Sequence, residues 1–70
     1  MDAYDYFKRG YEYLEKEDYS HANEDFWKAQ ELIYGPDKVE MVREKTKDFE
    51  PEVVAISSME LLREALGITE

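Results

Sequence analysis

Residues 4–34 read YDYFKRGYEYLEKEDYSHANEDFWKAQELIY, and the spacing of their aromatic and small side chains decides the fold class. Apolar side chains return every three or four residues, the period of a helix face and not the alternation of a half-buried strand. In the first half, Tyr4, Phe7, Tyr11 and Leu14 share one stripe, and Tyr6, Gly10 and Tyr13 an adjacent one. This pattern predicts a helix from Ala3 to about Glu17 with packing partners on two sides. A second helix is expected after Asp18 or Ser20, whose side-chain oxygens can accept its first free N–H groups. Its buried face would carry Ala22, Phe26, Ala29 and Ile33. Gly35-Pro36 stops it, because glycine tolerates the left-handed conformation after a helix and proline cannot continue the hydrogen-bond ladder.

Working outward, Asp37-Lys38-Val39-Glu40 has the form of a capping box, so a third helix is expected to start there. Its apolar seam is lean, consisting of Val39, Val42, Thr46 and Phe49, with Lys45 and Lys47 near its C-terminus, where cations complement the helix dipole. Pro51 ends it or opens the next. A fourth helix is expected from Glu52 to Leu66, burying Val54, Ser58, Leu61, Leu62, Ala65 and Leu66 before Gly67 closes it. Ser57-Ser58-Met59-Glu60 offers an alternative start, which would leave Val53 to Ile56 extended. The expectation is an all-α fold in one domain, residues 1–70. It would have four short helices arranged as two helical hairpins, 3–34 and 37–66, in a small bundle.

Seventy residues lie at the lower edge of what one hydrophobic core can support, and the chain has no cysteine and one histidine. The disulfides and zinc sites that hold many mini-proteins together are therefore not expected, leaving helix packing or self-association. Hydrophobic residues make up 43% of the chain, too many for a disordered tail. Eighteen acidic against nine basic residues give a net charge of −9, which argues against phosphate backbones and anionic membranes as partners. The longest apolar run, Val53-Val54-Ala55-Ile56, is far too short to span a bilayer, and no basic-then-apolar leader follows Met1. A cytoplasmic location is expected. Asn23 and Gln30 are the only side-chain amides, while glutamate and lysine abound, a bias found in proteins from hot environments.

The first hairpin resembles a tetratricopeptide repeat. Tyr6, Gly10 and Tyr13 on the first helix, the turn Asp18-Tyr19, and Ala22, Phe26 and Ala29 on the second match the large, small and aromatic pattern of that family. Small Gly10 and Ala22 would let the helices approach while Tyr13, Tyr19 and Phe26 fill the surrounding space. The chain departs from the family at Arg9, usually apolar, at Glu17, usually glycine, and at Gly35-Pro36, which arrives late. The likeness covers about half of the chain, and one repeat cannot bury both of its faces. A second resemblance lies in Ala22-Asn23-Glu24-Asp25-Phe26-Trp27-Lys28-Ala29, which looks like the second helix of small prokaryotic proteins related to HEPN domains. Some of those are RNA-cleaving toxins, using an arginine and a histidine about four to six residues apart. His21 has no arginine at that spacing on its N-terminal side, so this likeness implies a non-catalytic relative.

Carboxylate pairs such as Glu12-Glu15, Glu24-Asp25 and Glu40-Glu44 are unavoidable in so acidic a chain and read as solvated surface. Asp18, His21 and Asp25 could share a helix face, but one histidine falls short of a helical-bundle metal site. No enzyme activity, cofactor or metal is expected. The aromatic surplus points instead to docking. In the tetratricopeptide family the concave, peptide-binding surface corresponds to Tyr4, Phe7, Tyr11 and Leu14, and Trp27 lies apart from the contact between the first two helices. The expected role is a protein–protein interaction module that takes a protein or peptide partner, basic or amphipathic, at Tyr4, Phe7, Tyr11, Leu14 and Trp27. The alternatives are a structural homodimer that buries the stripe of the first helix, or that helices three and four fold back over it. A third is an acidic, antitoxin-like inhibitor of a basic nucleic-acid-binding protein.

Overall fold

In the computed structural model, which describes residues 1–68, Asp2 accepts the Asp5 N–H at 2.9 Å while the Asp5 carboxylate accepts the Asp2 N–H at 3.4 Å. This reciprocal cap starts helix α1 (Ala3–Glu15). The helix stops short of Glu17 because Glu17 itself takes the left-handed conformation, with φ of 61°. Glu17 N–H bonds the Leu14 carbonyl at 3.0 Å and Asp18 N–H bonds the Tyr13 carbonyl at 2.9 Å, the paired closure of a Schellman motif. A residue with a Cβ in this region carries about 1–2 kcal/mol of steric cost, which glycine escapes. Glycine's greater freedom in the unfolded chain returns about 0.5–1 kcal/mol of that. Glu17→Gly is therefore expected to stabilise the protein by about 0.5–1 kcal/mol, read as a melting temperature several degrees higher. A lower melting temperature would contradict the assignment of this turn.

Helix α2 (Tyr19–Tyr34) starts at Asp18, whose carboxylate accepts the His21 N–H at 3.3 Å. It ends at Gly35, where φ is 95°. Helix α3 (Pro36–Lys45) begins one residue before the expected capping box. Proline, having no N–H to satisfy, takes the first helical position, Gly35 becomes the cap, and no side-chain cap bond forms. The helix also ends earlier than expected. Thr46 turns its hydroxyl onto the Val42 carbonyl at 2.8 Å, and the chain turns through Phe49. Helix α4 (Pro51–Ala65) again has proline in its first turn and includes Val53 to Ile56, so the later start at Ser57 is not used. Gly67, with φ of 70°, closes it through a bond from Ile68 N–H to the Arg63 carbonyl at 2.9 Å.

Among the described residues the fold is all-helical, a small bundle of four helices. Helix α2 is its axis. Phe7, Ala22, Phe26, Ala29, Ala55 and Leu62 form the core between α1, α2 and α4, with Val39 and Val54 buried beside it. The α1/α2 contact is close: a Cβ built on Gly10 would lie 2.7 Å from the Phe26 ring. Asn23 anchors the start of α4, donating to the Pro51 carbonyl at 3.1 Å. Helix α4 is rotated from its expected setting. Val54, Ser58 and Leu62 are buried, as expected, and so is Ala55, but Leu61 and Ala65 are exposed. On α2, Ile33 is exposed as well. Helices α3 and α4 both pack on α2, yet no Cα of one lies within 8 Å of a Cα of the other.

Candidate functional site

Because the backbones of α3 and α4 stay more than 8 Å apart where both pack on α2, a cleft lies open between them. Its floor is the α2 stripe Asn23, Trp27 and Gln30, spaced as one helix face, together with Val54 of α4. Glu24, Arg43 and Lys47 line its first lobe, and the walls of the second are mainly apolar. Val42 and Phe49 stand on the α3 side, 40% and 59% exposed, and Val53 and Leu61 on the α4 side, 51% and 42% exposed. The cleft has two lobes of about 350 and 300 Å³ that share Thr46, Phe49 and Val54. No charged side chain lines the second lobe. Val42, Phe49 and Leu61 were expected in a buried seam. They are surface because α3 is short and splayed, leaving Val39 as its one buried residue.

The floor carries unmet hydrogen-bonding capacity. Asn23 and Gln30 are 4% and 2% exposed, yet Asn23 Oδ1, Gln30 Nε2 and the Trp27 indole Nε1 have no partner among the described residues. A buried group of this kind is destabilising by about 1–3 kcal/mol when left unmade. Arg43 closes one end of the cleft, its guanidinium 4.3 Å from the Trp27 ring centroid and 3.8 Å from a Glu24 carboxylate oxygen. Trp27 thus packs against α3 and is half-buried under a cation.

The stripe of α1 is divided between core and surface. Phe7 is buried, with its ring 6.0 Å from that of Phe26, so its side chain belongs to the core. Tyr11 and Leu14 are half-buried against the same cluster, and Tyr4 is exposed with the Lys8 ammonium 5.4 Å from its ring. Tyr4, Phe7 and Tyr11 also line a shallow groove of about 320 Å³ with Lys8, Glu12, Arg63 and Ile68. The end of α4, through Leu66 and Ile68, covers part of this face, while α3 does not reach it.

The titratable residues singled out in the sequence do not converge. Asp18 bonds His21 Nδ1 at 2.8 Å, whereas the buried Asp25 turns to Arg9 on α1. Arg9 Nε and Nη2 donate to the two Asp25 oxygens at 2.8 Å each, a bidentate clamp that holds the guanidinium more firmly protonated than usual. This pair gives Arg9 a structural role, and the fifteen residues between the partners hid it from local spacing. Among the described residues no group of three His, Cys, Asp or Glu side chains is placed to hold a metal ion. No helix among them is long and apolar enough to cross a membrane. Comparison of the chain with known protein families, with curated proteins and with solved structures gave no match.

Proposed function

We propose that this protein is a small protein–protein interaction module whose receptor surface is the cleft between α3 and α4. One observation carries the reading: two helices pack on a common third with no Cα of one within 8 Å of a Cα of the other, and apolar side chains between them stay exposed. Soluble monomers rarely leave so much contiguous apolar surface without a use. A partner's amphipathic helix fits the chemistry. Its apolar face would cover Val42, Phe49, Val53 and Leu61, leaving its polar face toward solvent. At physiological salt the net charge of −9 is screened beyond about 8 Å, so the charges along the lips of the cleft, and not the net charge, select the partner. On this reading the module works by docking, without turnover, inside the cell. The tetratricopeptide likeness of α1 and α2 supports an interaction role, with the cleft and not Tyr4 and Tyr11 as the receptor.

The test uses a synthetic amphipathic helix with leucine on one face and alternating lysine and glutamate on the other, titrated into dilute protein. The readout is the emission of Trp27, the chain's one tryptophan. A saturable change is expected. Leu61→Glu should weaken it about tenfold or more, since burying one leucine contributes about 1.5–3 kcal/mol, while Tyr4→Glu should leave it unchanged. The reverse pattern would place the receptor on α1, and no saturable change would sink the docking reading.

A further inference from the structure

We infer that the occupant of the cleft is a second copy of this chain, packed about a two-fold axis so that α3 of one protomer lies against α4 of its partner. The inference rests on the docking reading above and names the partner. Its first support is charge. Lys38 and Lys45 lie two turns apart on α3, along the outer lip beside Val42, and neither has an acidic partner within 4 Å among the described residues. On α4, Glu60 and Glu64 continue the stripe of Val53 and Ser57 along the opposite lip, equally unpaired among the described residues. Beside Val42 the α3 stripe thus presents two lysines, and beside Val53 the α4 stripe presents two glutamates. A uniformly basic or acidic helix would meet like charge on one side, whereas a two-fold copy sets the α3 lip of each protomer against the α4 lip of the other, twice over.

The second support is the thinness of the core. Eight hydrophobic residues are buried and three of them are alanine, whereas eleven large hydrophobic residues are exposed among the described residues. A chain of this length without disulfides commonly gains its remaining stability by oligomerising. The third is area. A stable interface takes about 800 Å² from each partner, roughly a sixth of the 4892 Å² surface. The exposed Met41, Val42, Phe49, Val53, Ile56 and Leu61 place apolar surface on the two helices that would meet and on the turn between them.

Sedimentation equilibrium from about 1 µM to 1 mM tests this on the full chain. The expected result is a rise from 8.4 kDa to twice that mass with concentration. Val53→Glu and Phe49→Glu, at exposed positions where folding has little at stake, should abolish the rise while far-UV dichroism stays helical. Lys45→Glu and Glu64→Lys should each weaken dimerisation about tenfold, and the two together should restore it, because opposite charges would again face across the lips. A dimer indifferent to Val53→Glu, or a double variant weaker than either single one, would overturn the proposal. A monomer throughout the range would also overturn it. If the synthetic helix still binds at the cleft, that result assigns the receptor to a foreign partner, and if it does not, the docking reading falls too.

Discussion

Phe26→Ala is expected to cost about 3–5 kcal/mol and to leave much of the population unfolded at 25 °C. Phe26 is fully buried at the centre of the core, its ring tilted 37° to that of Phe7 at 6.0 Å and lying against Gly10. Removing a buried aromatic side chain loses its transfer free energy and leaves a cavity, typically about 3–5 kcal/mol in total. Domains are stable by roughly 0.05–0.15 kcal/mol per residue, so for this length about 3.5–10 kcal/mol is available, and a core rich in alanine points to the lower end. Urea denaturation followed by far-UV dichroism measures the effect. Phe49→Ala is the matched control. Its ring is 59% exposed, so dilute protein should change by no more than about 0.5 kcal/mol. Two phenylalanines with opposite consequences separate folding from docking, and a loss at Phe26 below about 1 kcal/mol would mean the core is elsewhere.

The contrast between these phenylalanines also marks where local spacing stops being informative. Phe26 is legible because Ala22, Phe26 and Ala29 repeat on one face of α2 opposite Gly10, and close approach explains every member of the set. Two stops are legible for the same local reason, since Gly35 and Gly67 take positive φ, whereas the left-handed Glu17 is not, because the helix is expected to reach it. Phe49 was not legible. Its place in the seam of Val39, Val42 and Thr46 follows from periodicity, but periodicity does not say whether a second helix arrives to cover the seam. In α4, Val53, Val54, Ala55 and Ile56 are consecutive and point all round the helix, so the buried side is decided by where Asn23 holds Pro51. That bond spans twenty-eight residues, and the Arg9–Asp25 clamp spans sixteen. Contacts of that separation depend on how the helices are arranged in space, and one sequence read alone carries little of it.

The docking surface follows from the same tertiary facts. The aromatic stripe of α1 looked like the receptor because its residues are large and regularly spaced. Folding uses Phe7 outright and Tyr11 and Leu14 in part, leaving Tyr4 outermost. Much of the apolar surface that folding does not use lies instead on α3, α4 and the turn between them, with a weaker pattern, beside Leu32, Ile33 and Tyr34 at the end of α2.

Gly10→Ala should destabilise the protein by about 1–2 kcal/mol, although alanine is the better helix former by about 0.5–1 kcal/mol. The new Cβ would stand 2.7 and 2.8 Å from two carbons of the Phe26 ring and 3.3 Å from the Ala22 carbonyl oxygen. The ring is fully buried, so it has little room to withdraw, and the carbonyl belongs to the backbone of α2. Overpacking of this kind typically costs about 1–3 kcal/mol, which outweighs the gain in propensity. Shrinking the ring should reverse the sign. In a Phe26→Leu background the added methyl enters space the aromatic edge has vacated, and Gly10→Ala should become neutral or stabilising by up to about 0.5–1 kcal/mol. The four proteins form a double-mutant cycle with an expected coupling of about 1.5–3 kcal/mol, read from urea midpoints at constant slope. If Gly10→Ala stabilises both backgrounds alike, the two helices do not approach as closely as the Gly10–Phe26 contact requires, and the packing that sets α1 against α2 would need another cause.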